Sequence, residues 1–358
     1  MSQESISNAE PSQPWPSSIE WLSMSSQEPN PRLVWETINA YQRTEALRAA
    51  VELDIFTRIG GGAGSVDKLA TACGASAKGI RVLCDYLTVI GLLDKQGETY
   101  GLNPTSAAFL DRRSPASMAS AVRFLNSPKI QQGFRDLAGT VRRGGTSLPA
   151  GGVVESDLTE WETFAESMTP IMNGAAQFIA AKAGAVNPRR VLDVAAGHGL
   201  FGITVAKQYP DAQVVAQDWA GVLKIASRNA AQAGIGSRFS ELPGDAFTVD
   251  LGTGYDVVLL TNLLHHFNAA QCETLLKRIH AALRPGGLLL TLEFIPNADR
   301  ISPPIPASFA LMMLGLTPEG DAYTMPEFDR MLAQAGFASN EVVNVPMSPQ
   351  QLIVSVKN

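Results

Sequence analysis

A glycine-rich turn after a short apolar run is the part of the chain whose residue types and spacing best suit ligand binding. Gly197, Gly199 and Gly202 follow the run Val191–Val194 in the order G-x-G-x-x-G. Glycines at this spacing let the backbone approach a ligand closely at the start of a helix. Asp218 lies about twenty positions further on, where a carboxylate can accept hydrogen bonds from ribose hydroxyls. The string alone is compatible with a nicotinamide dehydrogenase as well as with a methyltransferase.

Two neighbouring features distinguish these cofactors. Asp193 is predicted at the end of the strand before the glycine turn, where a negative charge suits a cationic sulfonium and disfavours a pyrophosphate. A second motif, Gly244-Asp245-Ala246-Phe247, places a carboxylate and an aromatic ring where the edge and face of an adenine need them. Both features favour S-adenosylmethionine over a dinucleotide. The sequence after the fifth predicted strand also shows no second nucleotide-binding half.

The elements that position these residues form an α/β pattern from Arg190 onward. Short apolar strands alternate with helical runs, which is typical of a doubly wound, Rossmann-like parallel sheet. The strands are predicted at Val191–Val194, Gln213–Gln217, just before Pro243, Asp256–Leu260 and Leu288–Phe294. The runs Glu341–Val345 and Gln351–Val356 predict an antiparallel hairpin that closes one edge of the sheet.

The preceding segment predicts a mainly helical, winged-helix domain. A helix that begins at Ser65 and ends at Gly74 precedes a second helix over Ala77–Leu93, and residues 91–102 predict a hairpin. The second helix offers only Lys78 and Arg81 as cations. Since binding in a DNA groove requires several phosphate contacts, this composition favours dimerisation over DNA binding.

Six motifs together resemble the bacterial branch of the small-molecule O-methyltransferases related to acetylserotonin and plant caffeic-acid O-methyltransferases. The motifs are the glycine turn, Gln217-Asp218-Trp219, Gly244 to Phe247, Asn262 to Phe267, Leu283 to Gly287 and Asp321 to Thr324. The resemblance extends from about Arg32 to the last residue. It implies an S-adenosylmethionine-dependent enzyme whose winged-helix domain forms an intertwined homodimer.

The resemblance also implies roles for single residues in the cofactor site. Asp218 would hold the ribose, Trp219 would pack on the adenine, and Asp245 with Phe247 would recognise the other edge of the adenine. The full cofactor-binding set that we predict is Asp193, Ala195, Gly197, Gly199, Asp218, Trp219, Gly244, Asp245, Ala246, Phe247 and Asn262.

His265 is the candidate general base. It lies at the predicted end of the fourth strand, and therefore at the carboxyl edge where open sheets bind ligands. In the family, a histidine here is followed by an acid and a tryptophan, whereas this chain has His266 and Phe267. A neutral imidazole, with a pKa of about 6.5, can take a phenolic proton while the oxygen attacks a methyl group. His266 is predicted to line the acceptor site, and the alternatives are a supporting or surface histidine and a second catalytic histidine.

Glu293 ends the adjacent fifth strand, where it could accept the second N–H of the imidazole and orient the ring. The alternative is an acid that caps a helix or faces solvent. Plant members of the family carry a second glutamate before the threonine of a later loop, where this chain has Ala322, with Asp321 and Glu319 nearby. This difference leaves room for methylation of a carbon or nitrogen that is already nucleophilic.

Two apolar segments could form the walls of an acceptor pocket. The predicted substrate-binding residues are Trp161, Phe164, Met168 and Met172 on one helical face, Phe309, Met312 and Met313 on a second helix, and His266. Methionine side chains adapt to irregular ligand shapes. Packing against the neighbouring domain is the alternative for each residue.

Composition restricts the partners. A net charge of −6 disfavours nucleic acid, and no run approaches the ~18 to 20 apolar residues of a membrane helix. The N-terminus shows no basic and apolar leader, and Cys73, Cys84 and Cys272 lie too far apart for a zinc motif. We therefore expect a cytoplasmic enzyme that uses no metal.

We predict four regions and one function. The regions are a disordered tail at 1–31, a winged-helix dimerisation domain at 32–150, a linking helix at 151–173 and a methyltransferase domain at 174–358. The predicted function is methyl transfer from S-adenosylmethionine to a small aromatic hydroxyl. The alternatives are a C- or N-methyltransferase of a secondary metabolite and a non-catalytic, cofactor-binding or DNA-binding regulator.

Overall fold

The computed structural model describes residues 29–149, 152 and 172–358. Most of the predicted tail and linking helix lies outside these ranges, as do Trp161, Phe164 and Met168. The chain divides into two compact units, Met1–Glu45 and Ala46–Asn358. In the described part of the first unit, an ion pair of 2.7 Å joins Arg32 and Glu36 on one helix.

The front part of the chain is helical and contains one small hairpin. Its helices are Arg32–Ile38 (α1), Ala40–Glu52 (α2), Ile55–Gly60 (α3), Val66–Cys73 (α4), Ala77–Val89 (α5), Pro104–Phe109 (α6), Ala119–Leu125 (α7), Pro128–Arg135 (α8) and Leu137–Arg143 (α9). Its strands, Asp94–Gln96 (β1) and Thr99–Gly101 (β2), pair antiparallel. The predicted helix-turn-helix with a wing is thus confirmed in α4, α5 and this hairpin. Gly74 ends α4 with a φ of 61°, a conformation that glycine adopts without strain.

The back part of the chain is built on a seven-stranded sheet. Its strands are Arg190–Val194 (β3), Gln213–Asp218 (β4), Phe239–Pro243 (β5), Tyr255–Thr261 (β6), Leu283–Glu293 (β7), Ser339–Asn344 (β8) and Gln351–Val356 (β9). The spatial order is β5-β4-β3-β6-β7-β9-β8, with β9 antiparallel to both of its neighbours. All predicted strands are present, and the doubly wound sheet with a closing hairpin is confirmed.

Helices cover both faces of this sheet. The helices of this part of the chain are residues 172–183 (α10), Leu200–Gln208 (α11), Ala220–Gln232 (α12), Ala269–Ala282 (α13), Pro304–Leu316 (α14) and Met325–Gln334 (α15). Alternate residues of β6 pack on opposite sides: Val258 and Leu260 join a core with α13 and α15, while Val257 and Leu259 join a core with α10 and α11. Two buried layers therefore hold the strand ends in place. None of the described helices combines the length and apolarity that a bilayer crossing requires.

Glycines allow α14 to contact the front part of the chain backbone to backbone. A Cβ atom on Gly133 of α8 would lie 2.6 Å from the carbonyl oxygen of Gly315. Cβ atoms on Gly145 and Gly152 would overlap the carbonyl oxygens of Pro318 and Leu316. We call these three glycines, with residues 315–318, the glycine seam. Pro318 and Glu319, directly after α14, line the cavity of the candidate site described below. The glycine seam therefore restricts the position of this segment.

Candidate functional site

The glycine turn follows β3 and is held by the end of β4. Ala195 has a φ of 52°, an unusual backbone for a non-glycine residue, and its N–H donates to Gln217 Oε1 at 3.2 Å. The N–H of Gly197 donates to Asp218 Oδ2 at 2.9 Å. No heavy atom lies within 4 Å of where a Cβ of Gly197 would stand. The backbone of the turn is thus held by hydrogen bonds to Gln217 and Asp218, and there is open space next to Gly197.

Asp218 is oriented by two backbone groups. Besides the bond from Gly197, its Oδ1 accepts the N–H of Trp219 at 2.7 Å. Burial raises the pKa of Asp218, and these two N–H groups act in the opposite direction. Asp245 is oriented similarly, because the N–H of Phe247 donates to its Oδ1 at 2.9 Å. Each carboxylate keeps oxygen lone pairs with which a ligand hydroxyl or amino group can bond.

A cavity of about 620 Å³ lies between these residues at the carboxyl edge of the sheet. Its lining includes seven predicted cofactor residues: Ala195, Asp218, Trp219, Gly244, Asp245, Ala246 and Phe247. The volume is in the range of small-molecule sites. Two oriented carboxylates and two aromatic rings match the diol, the amino group and the faces of an adenosyl ligand. The residues present therefore fit S-adenosylmethionine.

Four predicted cofactor residues do not line the cavity: Asp193, Gly197, Gly199 and Asn262. At Gly199, a Cβ would lie 3.1 Å from Ala226 Cβ, so this glycine lets α11 and α12 approach each other. Asn262 has a φ of 56°, and its side-chain oxygen accepts a hydrogen bond from Gln350 in the β8–β9 loop. The side chains of Asp193 and Asn262 thus serve the framework behind the cavity.

Asp193 lies beneath α11 and is fully buried. Its Oδ2 accepts the N–H of Gly202 at 2.9 Å, while Oδ1 has no partner among the described residues. Burial, together with the nearby charge of Asp218 and against the Gly202 bond, raises the pKa of Asp193 to about 7. The buried carboxyl therefore anchors the first turn of α11.

His265 and Glu293 form a buried pair next to the cavity. His265 lies in a 3-10 turn, Leu264–His266, that follows β6, and Glu293 is the last residue of β7. The distance from His265 Nδ1 to Glu293 Oε2 is 2.5 Å. The other oxygen, Oε1, accepts the N–H groups of Leu263 and Leu264 at 3.1 and 2.9 Å. Glu293 is only 1% exposed, so it is not a solvated acid.

The later loop packs on this turn without adding a second carboxylate to His265. Ala322 is fully buried, Asp321 pairs with Arg300 at 3.2 Å, and Glu319 accepts a bond from Asn268 at 2.6 Å. None of these loop residues is bonded to His265. Within the described ranges, Glu293 is thus the one acid hydrogen-bonded to this imidazole.

Backbone contact and one hydroxyl attach the later loop to the turn. A Cβ on Gly320 would overlap the carbonyl oxygen of His265. The hydroxyl of Tyr323 donates to the carbonyl oxygen of Phe267 at 2.6 Å. The loop that contains Gly320 and Tyr323 therefore helps to position the 3-10 turn and the imidazole of His265.

Only some of the predicted acceptor-binding residues reach His265. The ring of Phe309 meets the imidazole edge-on at a centroid distance of 4.9 Å and stacks on Phe294 at 4.1 Å. Met172 packs instead in the core around α10, and Met312 packs in a small cluster with Ile130, Leu148 and Leu316. Met313 is 3% exposed. The aromatic pair therefore forms the described wall beside the imidazole.

Sequence reasoning missed several cavity residues. Gln217 lines the cavity and bridges two motifs, because it accepts from Ala195 and donates to the carbonyl oxygen of Gly244 at 2.6 Å. Its position directly before Asp218 was a usable signal. Gln271 and Glu319 also line the cavity, and no local pattern marks them. No cluster of three metal-ligating side chains occurs in the part of the chain that is described.

Residues 145–338 match a family described as the O-methyltransferase domain, and residues 35–112 match the O-methyltransferase dimerisation domain. The tetracenomycin polyketide synthesis 8-O-methyl transferase TcmO of Streptomyces glaucescens is 28% identical over 302 residues. That match covers 83% of this chain and 88% of TcmO.

Solved structures give the same result. A crystal structure from Nostoc punctiforme, provisionally assigned as an O-methyltransferase, is 46% identical with a TM-score of 0.89 and covers 92% of this chain and 100% of that one. Human N-acetylserotonin methyltransferase, solved in complex with S-adenosylmethionine, has the same fold. Its TM-score is 0.81 at 24% identity, over 94% of this chain and 100% of the human one.

Proposed function

The chain belongs to the O-methyltransferase family and depends on S-adenosylmethionine, and from this premise we propose that it methylates the hydroxyl of a small aromatic acceptor with His265 as general base. The observation that carries the proposal is the buried pair of His265 and Glu293, 2.5 Å apart beside the ring of Phe309. A similar protein of Streptomyces sahachiroi, 26% identical, is named 3-hydroxy-5-methyl-1-naphthoate 3-O-methyltransferase, and this naphthoate acceptor supports an aromatic acceptor here.

The cofactor would be held by the residues that line the cavity. Asp218 would accept hydrogen bonds from the ribose hydroxyls, and Asp245 would accept a hydrogen bond from the adenine amino group. The rings of Trp219 and Phe247 would flank the adenine. S-adenosylmethionine supplies an electrophilic methyl group when it is bound. The contribution of the protein is to hold that group and the acceptor oxygen close together, which supplies much of the acceleration in two-reactant enzymes.

His265 would take the proton of the acceptor hydroxyl. Glu293 accepts two backbone N–H groups on Oε1, which leaves Oε2 to accept the N–H of His265 Nδ1. This tautomer leaves Nε2 as the base. When the proton of the acceptor hydroxyl moves to Nε2, the ring becomes a positively charged imidazolium. The carboxylate of Glu293 beside Nδ1 would stabilise this positive charge. The acceptor would pack against Phe309 and Phe294.

We also propose that the protein is a homodimer through its front domain. The match to a dimerisation domain over residues 35–112 supports this proposal. Two apolar residues of α5 are exposed, Val82 at 50% and Val89 at 81%, which is a surface that a second copy could cover. Light scattering at micromolar protein should give twice the monomer mass, and a monomer would contradict it.

The experiment that tests the cofactor site is calorimetric titration with S-adenosylhomocysteine. The wild type should bind, and Asp218→Asn should bind about ten- to a hundredfold more weakly, because hydrogen bonds to a charged group are lost. Asp211→Asn, at an exposed position after α11, is the matched control and should bind like the wild type. Equal affinity in all three proteins would contradict the assignment of Asp218.

A screen of acceptors tests the reaction. The purified protein would be incubated with S-adenosylmethionine and a panel of phenols, hydroxynaphthalenes and hydroxyindoles, and the products would be analysed by mass spectrometry. We expect an O-methyl product from at least one of these aromatic compounds and none from aliphatic alcohols. Methylation of aliphatic alcohols alone would contradict the aromatic acceptor class.

A further inference from the structure

His266 differs from its neighbour in what it faces. His265 is turned toward Glu293, whereas His266 lines the cavity together with Asp218, Asp245 and Phe247. The two imidazole rings are close, with centroids 4.4 Å apart and an interplanar angle of 50°. The second histidine of the pair therefore belongs to the adenosyl side of the site.

The two nitrogens of His266 have different surroundings. Nδ1 is buried and has no hydrogen-bond partner among the described residues, while Nε2 is not among the buried, unpartnered atoms. Since the ring lines the cavity, Nε2 is the nitrogen that reaches it. A buried acceptor without a partner is tolerated more readily than a buried N–H without one. The proton of the neutral ring therefore belongs on Nε2, where it can be donated into the cavity.

The charge state of His266 agrees with this arrangement. Burial, followed by the proximity of His265, lowers the pKa of His266 well below its usual value. The ring is therefore neutral at physiological pH and places no positive charge beside a sulfonium or beside a protonated His265. The cavity lining also contains the carboxylates of Asp218 and Asp245, which offer only acceptors to a ligand. His266 adds a donor for the acceptor atoms of a ribose or an adenine ring.

We propose that His266 is a cofactor-binding residue that donates a hydrogen bond from Nε2 to the adenosyl part of S-adenosylmethionine. The inference rests on the proposed function, since it takes the cavity as the adenosyl site. It also moves His266 from the acceptor side, where the sequence placed it, to the cofactor side.

The test is calorimetric titration of the full chain with S-adenosylhomocysteine and, separately, with adenosine. His266→Phe keeps a planar ring and removes the donor, and it should bind both ligands about five- to tenfold more weakly than the wild type. His266→Gln can place an amide N–H near the position of Nε2 and should restore most of the affinity. Thermal unfolding of each variant identifies any loss of fold.

Three results separate the possibilities. If the wild type binds neither ligand, the proposed cofactor site fails. If the wild type binds and His266→Phe binds equally well, the role of His266 is wrong and the cofactor site stands. If His266→Phe loses affinity for S-adenosylhomocysteine but not for adenosine, the contact is to the amino-acid end, and the adenosyl assignment is overturned.

Discussion

Replacing Glu293 with glutamine tests whether a carboxylate sets the tautomer of His265. Glutamine can keep its oxygen on the N–H groups of Leu263 and Leu264, which donate to Oε1 at 3.1 and 2.9 Å. It must then turn its amide nitrogen, a donor, toward His265 Nδ1. Nδ1 becomes an acceptor, the ring proton moves to Nε2, and the proposed base can no longer take a proton.

The expected loss follows from this exchange of tautomers. General bases contribute about 10²- to 10⁴-fold to rate, and a histidine held in the wrong tautomer of a catalytic triad has cost about 10⁴-fold. We therefore expect the kcat of Glu293→Gln to fall by about 10²- to 10⁴-fold, which corresponds to about 3 to 5 kcal/mol. Glu293 does not line the cavity, so the affinity for S-adenosylhomocysteine should not change.

The assay is steady-state methyl transfer from S-adenosylmethionine to the best acceptor of the panel, with calorimetry of S-adenosylhomocysteine on the same preparations. Glu341→Gln, an exposed acid on β8, is the control for loss of one carboxylate and should keep the wild-type rate. A kcat of Glu293→Gln within about threefold of the wild type would refute the reasoning, because a reversed tautomer cannot leave the rate intact.

Two further substitutions test the framework behind the site. Gly320→Ala should lower kcat and cost about 1 to 3 kcal/mol of unfolding free energy, because the new methyl group would displace the carbonyl of His265. Gly174→Ala in α10, where a Cβ meets nothing within 4 Å, is its control in urea unfolding, and an equal effect of both changes would contradict the contact. Asp193 should make unfolding pH-dependent, because its pKa of about 7 in the folded protein exceeds the usual 3.8. Between these values the folded state holds a proton that the unfolded state has lost, so stability falls as the pH rises from about 4 to 7, by up to roughly 4 kcal/mol. Asp193→Asn should remove this dependence of the unfolding free energy on pH. The measurement is urea unfolding of both proteins at pH 5 and pH 7.5, and an equal change in unfolding free energy between the two pH values in both proteins would contradict the prediction.

The sequence predicted the elements of this fold because their signals are local. The continuous apolar run at the centre of β6 is buried on both faces, as strands of a parallel sheet are. Helix α5 has its apolar residues at helical spacing, and Ile80, Cys84 and Leu87 are its buried positions. Such patterns need no knowledge of the rest of the chain.

The details of the candidate site depend on turns, whose side-chain directions do not repeat regularly as they do in a helix or a strand. His265 and His266 are adjacent, and in a strand or a helix their directions would follow from the repeat. They lie instead in a 3-10 turn after Asn262, whose φ of 56° breaks the strand direction. The sequence therefore predicted His265 as the candidate base, a role that stays a prediction, but no local pattern indicated that His266 lines the cavity.

Asp193 is a second residue whose surroundings could not be predicted from the sequence. Its position in the chain suggested an electrostatic contact with the cofactor, while its side chain is fully buried against Gly202. The decisive fact is that α11 lies directly over the strand, with a Cβ of Gly202 meeting Asp193 Oδ2 at 2.9 Å. Close packing of a helix on a strand depends on both elements together, and no local pattern reports it.

The glycine seam restricts how relatives of this protein could be recombined. Gly133, Gly145 and Gly152 each approach a carbonyl oxygen of residues 315–318, so the fit there depends on the close approach of two backbones. A chimaera that joins the front part of one enzyme to the back part of another must inherit both sides of this contact from a single parent. Any crossover between residues 133 and 315 would separate at least one of the three glycines from residues 315–318, and the loop in which Gly320 contacts His265 would then lose its support.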